Sequence, residues 1–518
     1  MPFGAQLPSL QALAEIAQNQ GYSIAPEELV QYRALFQGMI ESCDHLEGLP
    51  ERSLSVQYAR STGHSPPPAE NELNAWAWKC EISGASAGIL QGYKVGVKDS
   101  VCVAGVPMRN GSKILAGYTP EIDATVVTRV LQAGGTITGK TNCEDLCLSG
   151  AGFTSALGPV HNPYDLSRNT GASSSGSAAV IACGDADVAI GGDQGGSIRI
   201  PAAWCGIVGL KPTYGLVSFT GCAMIEATLD HVGPMANDAE GATRLLQAMA
   251  GFDPMDPRQR GVIPADFDFD FLSRLKNGVR GKKIAIVREG FAHNGHDSDL
   301  PHSDSRVDQK VRAAIACFER LGASVEEISI PMHHDAYHIW SVLLTLGSAH
   351  FMFDGEGLGS NWSGFYNTGL AEAFAKGKRA FPNDLPSPAI LTTLVGEYFK
   401  NQYGGRFYWK AQNQRHLVTD QYNAALAKFD MLAMPTTPFV ATKRVSPQAP
   451  LLEYISSSVN MLRNTCVANV TGHPSISLPC AMLDGLPVGL MLTGAHLDDM
   501  TLLQAAYAFE SLGDWKDH

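Results

Sequence analysis

One stretch, Ser167–Pro201 (SRNTGASSSGSAAVIACGDADVAIGGDQGGSIRIP), limits what this chain can fold into more than any other. It is too rich in glycine and serine for an ordinary core segment and too apolar in its middle for a flexible linker. The pattern predicts a loop over Asn169–Gly176 and a short helix over Ser177–Cys183, stopped by Gly184. A strand over Val188–Gly191 follows, then a second glycine loop that ends at Ser197. Two hydroxyl-bearing loops therefore hang on one rigid strand–helix layer, and glycine lets a ligand come close to their N–H groups. A serine in one loop, proton handling in the other and amide donors beside the serine are the equipment of acyl transfer. Turn chemistry or a simple anion nest is the plainer alternative. A phosphate loop is excluded because GGDQGGSIR lacks the lysine, and a dinucleotide site because the G-x-G-x-x-G spacing is absent.

The rest of the chain sets the frame for those loops. With 518 residues, 45% of them hydrophobic, it can bury a large core. A formal net charge of −13 argues against nucleic acid or an anionic membrane as the main partner. The first basic residue is Arg33, so a cationic signal-peptide start is not expected, and no apolar run reaches membrane-spanning length. Eleven cysteines without C-x-x-C pairs read as free thiols in a reducing compartment, hence a cytoplasmic protein.

Apolar residues at helical spacing, from Leu10 to Ile40, predict an N-terminal helical appendage over residues 1–80, with Ser65–Glu72 as linker. Residues 81–518 form the main domain. Strand patterns at Tyr93–Asp99, Thr136–Thr138, Lys282–Val287, Ser324–Ile330, Asp430–Met434, Ser475–Leu478 and Val488–Leu492 alternate with helical ones. That rhythm predicts an α/β fold, a mixed central sheet with helices on both faces. Residues 333–421 read as a mostly helical cap region.

Lys98 ends an apolar alternating strand outside any basic patch. Either it is exposed at the strand end, or it is buried among hydroxyls, where desolvation favours the neutral amine that can act as a base. Ser197 follows Gly195 and Gly196, so the amides of Gln194–Gly196 can converge on one point. Ser173, Ser174, Ser175 and Ser177 are rival nucleophiles. Gly84–Gly88 spells G-x-S-x-G around Ser86, but no strand is predicted before it and no helix after it, the wrong context for a nucleophile elbow. His333, His334 and His338 imitate metal spacing without an H-E-x-x-H motif, and no metal is expected.

GVKDS (Gly96–Ser100), GASSSGSAAV (Gly171–Val180) and GGDQGGSIRIPAAWCGIVGLKPTYG (Gly191–Gly215) closely resemble the amidase signature family. The likeness is strong over about Gly88–Gly251 and weaker at Met434–Pro438, Asn469–Pro479 and Gly485–Gly494. With the N-terminal helices and DPMDPRQR (Asp253–Arg260), it is most like the bacterial amidases that accompany nitrile hydratases. The resemblance implies the amidase signature fold and hydrolysis of a small-molecule carboxylic amide to acid and ammonia, with no cofactor. It implies Ser197 as nucleophile, Ser173 after a cis peptide as bridging serine, and Lys98 as base. Gln194, Gly195 and Gly196 would form the oxyanion hole. Cys147, Leu148 and Ser149 would line the acyl pocket. Asp193 and Arg199 are close enough in sequence to pair across the loop and hold it, a structural role, with Asp193 also able to touch substrate. A homodimer is implied too. The serine loop departs from the family's usual Pro-Gly-Gly-Ser-Ser-Gly-Gly, reading Thr170-Gly171-Ala172-Ser173-Ser174-Ser175-Gly176 here. Carbamate or aryl-ester cleavage, and the A-type subunit of a tRNA-dependent amidotransferase, are the competing readings.

Overall fold

The structure is a computed structural model that describes residues 4–292 and 303–517. It divides into two compact units, Met1–Leu54 and Ser55–His518. In the first, α1 (Leu10–Asn19) is capped by Ser9, whose hydroxyl accepts from the Ala12 N–H at 3.0 Å. Leu13 and Ala17 are its buried residues, while α2 (Pro26–Glu47) buries none.

Among the described residues of the second unit, eleven strands make one sheet: β1 (Trp76–Ser83), β2 (Lys94–Lys98), β3 (Thr136–Thr141), β4 (Val188–Asp193), β5 (Val208–Lys211), β6 (His231–Ala236), β7 (Lys283–Val287), β8 (Ser324–Ile328), β9 (Met431–Pro435), β10 (Ser475–Leu483) and β11 (Leu486–Gly494). Their spatial order is β1-β3-β2-β4-β6-β5-β10-β11-β9-β7-β8. Strands β3, β2 and β4 run parallel, as do β9, β7 and β8, and antiparallel pairings join the two groups. The sheet is therefore mixed. Every residue of β4 is buried, as an apolar run without alternation demands of a central strand.

Helices pack around the sheet: α3 (Thr125–Gln132), α4 (Ser175–Ala182), α5 (Arg199–Cys205), α6 (Ala239–Met249) and α7 (Ser305–Arg320). In α7, Val307, Val311, Ala314, Ile315 and Phe318 form the buried stripe, and Asp304 caps its start by accepting from the Arg306 N–H at 2.9 Å. The stretch expected to be a helical cap contains α8 (Met332–Ser348), a π-helical turn over Ala349–Asp354, α9 (Thr368–Ala380), α10 (Ser387–Tyr403) and α11 (Arg406–Leu426). Beyond it lie α12 (Leu451–Val459), α13 (Cys466–Thr471) and α14 (Asp499–Glu510).

The N-terminal boundary needs correction. An appendage ending near residue 80 would cut through β1. The chain from Ser55 belongs to the larger unit, and His64 is stitched to β1 by exchanging backbone hydrogen bonds with Lys79 at 2.9 and 3.0 Å. The Pro-rich stretch carries a short 3-10 turn, Pro68–Glu70, rather than serving as a linker. β1 also precedes the G-x-S-x-G string. Ser86 is nevertheless exposed and the next regular element is a strand, so no nucleophile elbow forms.

Candidate active site

Parallel neighbours β2 and β4 finish side by side, with Val97 opposite Ile190. The carboxyl ends of adjacent parallel strands are where α/β sheets expose their ligand crevices. Lys98 is the last residue of β2, and Asp193 closes β4 just before the Gln194–Ser197 loop. The serine loop runs directly into α4. Its peptide Ala172–Ser173 is cis, as the resemblance implied.

Lys98 is fully buried, which removes the exposed strand-end alternative. Its Nζ donates to Ser173 Oγ at 2.7 Å and to the Gly192 carbonyl at 3.2 Å. The Ser174 N–H donates to the Ser197 carbonyl at 3.1 Å, so the two loops are laced at their serines. The other candidate serines have structural work. Ser174 Oγ donates to the Gly192 carbonyl at 3.1 Å, Ser177 Oγ donates to the Ile190 carbonyl at 3.1 Å, and Ser175 begins α4.

The Gln194–Ser197 loop is held rigidly. The Trp340 indole N–H, from α8, donates to the Gln194 carbonyl at 2.7 Å, and Thr465 Oγ1 donates to the Gly195 carbonyl at 2.6 Å. In a trans peptide the N–H points opposite the carbonyl, so the bond from Trp340 to the Gln194 carbonyl turns the Gly195 N–H away from α8. Glycine is obligatory here. A Cβ on Gly195 would lie 2.5 Å from the Trp340 ring, and one on Gly196 would lie 2.3 Å from Thr465 Oγ1 at φ +140°.

Two groups of this loop are already engaged. The Gly196 N–H already donates to Asp193 Oδ1 at 2.7 Å, so it is committed and unlike a vacant oxyanion donor. Among the described residues, the N–H groups of Gln194 and Gly195 carry no such bond. Asp193, expected to touch substrate, is fully buried and saturated. Its oxygens accept from Gly196, from the Ile198 N–H at 3.1 Å, from Arg199 twice at 3.0 Å and from Asn469 at 2.9 Å. Burial alone would raise this carboxyl, but the charge and hydrogen bonds of Arg199 outweigh it and hold the group well below the usual carboxylate range. Asp193 braces the loop.

Beneath Lys98, Lys140 Nζ donates to Asp99 Oδ1 at 2.9 Å, both groups being buried. Beside it, the turn containing Asp145–Cys147 holds two residues in left-handed backbone, Leu146 (φ 50°) and Cys147 (φ 61°). The Cys147 thiol is near enough to Lys98 and the Ser173 hydroxyl for both to help lower it, after the larger effect of the neighbouring Cys143 thiol. Leu148 joins an apolar cluster with Ile114, Leu146, Ile225, Met352 and Phe374. Ser149 Oγ is occupied, donating to the Ser458 carbonyl at 3.4 Å and accepting from the Ala151 N–H at 3.2 Å. Of these three residues, Cys147 is the one whose polar atom meets the Lys98–Ser173 pair.

A cavity of about 620 Å³ reaches this turn at Asn110, whose Oδ1 accepts from Cys147 Sγ at 3.4 Å. Leu115, Phe219, Met224, Met352 and Phe365 make much of its wall. Trp340, Thr465 and Asn469 were not found from sequence, because they come from distant helices and only the fold brings them to the loop. The three histidines do not form a metal cluster: His333 spends Nδ1 on Tyr422 OH at 2.7 Å and Nε2 on Asn464 Oδ1 at 3.1 Å.

The amidase family model matches residues 64–503. The chain belongs to the amidase family. It is 42% identical over 456 residues to an enantioselective amidase of Rhodococcus rhodochrous, covering 87% of this chain and 86% of that protein. The crystal structure of the A-type subunit of glutamyl-tRNA(Gln) amidotransferase from Thermotoga maritima superposes with a TM-score of 0.66 at 30% identity, over 83% of this chain and 85% of that one. Native peptide amidase from Stenotrophomonas maltophilia does so with a TM-score of 0.63 at 28% identity, over 82% and 83%. Family, fold class and the status of an amide-hydrolysing enzyme agree with the sequence reading.

Proposed function

We propose that this amidase cleaves carboxylic amides through an acyl-enzyme on Ser197. Lys98 accepts the Ser173 proton as Ser173 takes that of Ser197, and Ser197 Oγ attacks the amide carbon. The N–H groups of Gln194 and Gly195 hold the oxyanion, each such donor being worth about 3 kcal/mol in the transition state. The relay returns a proton to the departing amine, and water then releases the acid. One observation carries this reading: Lys98 Nζ sits 2.7 Å from Ser173 Oγ in a fully buried setting. Cys147, Leu148 and the apolar cavity at Asn110 receive the acyl side chain, which favours uncharged aliphatic or aromatic groups.

The test is ammonia release by the purified chain from a panel of simple amides and matched carbamates and aryl esters. Ser197→Ala should lose about 10⁴-fold or more in kcat/KM with the fold intact. Full activity in that variant would defeat the reading. A second reading, an A-type amidotransferase subunit, is favoured by the likeness to the Thermotoga maritima protein. Turnover of simple amides by the lone chain argues against it, and activity gained only with partner subunits would establish it.

The eleven free cysteines support a cytoplasmic setting. Leu35, Met39 and Leu46 on α2 are 75%, 65% and 64% exposed, which supports a homodimer through these helices. Light scattering of Leu35→Asp should then report a monomer.

A further inference from the structure

Two thiols meet beside the proposed base. Cys143 Sγ and Cys147 Sγ both reach Asn110 Oδ1, at 3.7 and 3.4 Å. Cys143 is buried and Cys147 is partly exposed. A redox-responsive cysteine needs three things: thiolate character, access and a resolving thiol next to it. Cys147 has all of them. The neighbouring Cys143 thiol draws the Cys147 thiol down to about 6 against the opposing effect of burial, helped by Lys98, while burial pushes Cys143 well up. The contrast with other cysteines is sharp, since burial raises the thiols of Cys80, Cys102, Cys205, Cys466 and Cys480.

We propose that Cys143 and Cys147 are a peroxide-sensitive pair that closes to a disulfide and switches the enzyme off. The Cys147 thiolate attacks one peroxide oxygen, the O–O bond breaks, and hydroxide leaves and is protonated to water. The Cys143 thiol, giving up its proton, then attacks the sulfenic sulfur, the S–S bond forms, and a second water departs. Two thiols lose two electrons in all, and one hydrogen peroxide becomes two waters.

Closure disables the site for a structural reason. It takes the Cys147 sulfur away from Ser173 and Lys98. It also pulls on a turn whose Glu144 N–H donates to the Ser173 carbonyl at 3.3 Å, so the bridging serine moves with it.

The test treats the full-length chain with hydrogen peroxide, then follows amide hydrolysis and maps peptides before and after dithiothreitol. The expected result is a Cys143–Cys147 link, activity down about tenfold or more, and recovery on reduction. Cys143→Ser, still able to donate to Asn110, should keep basal activity, form no link and accumulate a dimedone-reactive sulfenic acid at Cys147. Activity lost without the link, or a complete link with full activity, would overturn the proposal. Its consequence for activity rests on the reaction proposed above, but the link is read by mass. A reduced chain inert on every amide that still forms the link would therefore count against the reaction and not against the thiol pair.

Discussion

At the scale of single residues, the site depends on charges that cannot be left alone. Arg199 is fully buried against Asp193, and Asn469 completes the group by accepting from Arg199 at 2.8 Å. Removing one partner of a buried ion pair strands the other and costs about 3–5 kcal/mol. Asp193→Ala should therefore lose that much stability in urea titration and lose activity with it, because the Gly196 and Ile198 amides lose their acceptor. A stable but inactive variant would instead return Asp193 to substrate contact. The sequence identified Asp193 and Arg199 as a pair by their spacing. It could not show that Asn469 and two backbone amides fill the remaining lone pairs, which favours the bracing role over substrate contact.

At the scale of elements, legibility followed hydrophobic pattern. β2, β4, β7 and β11 were readable because their apolar runs are short and bounded by turns. β1, β5 and β6 were not. β6 (HVGPMA) contains Gly233 and Pro234, which ordinarily demote a strand, and it is wholly buried, so it shows no alternation. The turn around Asp145–Cys147 was not legible, since nothing in its composition announces left-handed Leu146 and Cys147, and resemblance reached only Cys147 in it. That turn carries a testable charge. Burial pushes Glu144 from 4.5 up to about 7, against its hydrogen bonds from Thr154. An acid raised in the folded state costs stability once the unfolded chain ionises first. The wild type should thus weaken as pH rises from 4.5 through about 7, by about 3 kcal/mol. Glu144→Gln, which cannot ionise, should gain on the wild type over that window in urea midpoints. A constant gap would show that Glu144 is ionised throughout.

At the scale of the whole molecule, the sheet's two parallel groups are joined by antiparallel strands, and a buried histidine lies just before one of them, β10. His473 is buried and stacks on His496 at 3.8 Å, while Nε2 meets Asn423 Oδ1 at 3.0 Å. Burial first, then His496 and Lys211, holds its value well below 6.5. A base depressed in the folded state is protonated more readily in the unfolded chain, so this contribution is lost as pH falls through 6.5. The stability lead of wild type over His473→Gln should accordingly narrow on acidification, and an unchanged lead would refute the buried neutral histidine. The sequence led to the mixed sheet and the helical cap because their patterns are local. It misplaced the division at residue 80 because only pairing with β3 and His64 reveals β1 as part of the sheet. The account as a whole turns on Lys98 drawing a proton through Ser173. The decisive measurement is kcat/KM of Lys98→Met across pH on an amide the wild type hydrolyses. We predict a fall of about 10³-fold or more with an unchanged fold; a variant within about tenfold of wild type would contradict it.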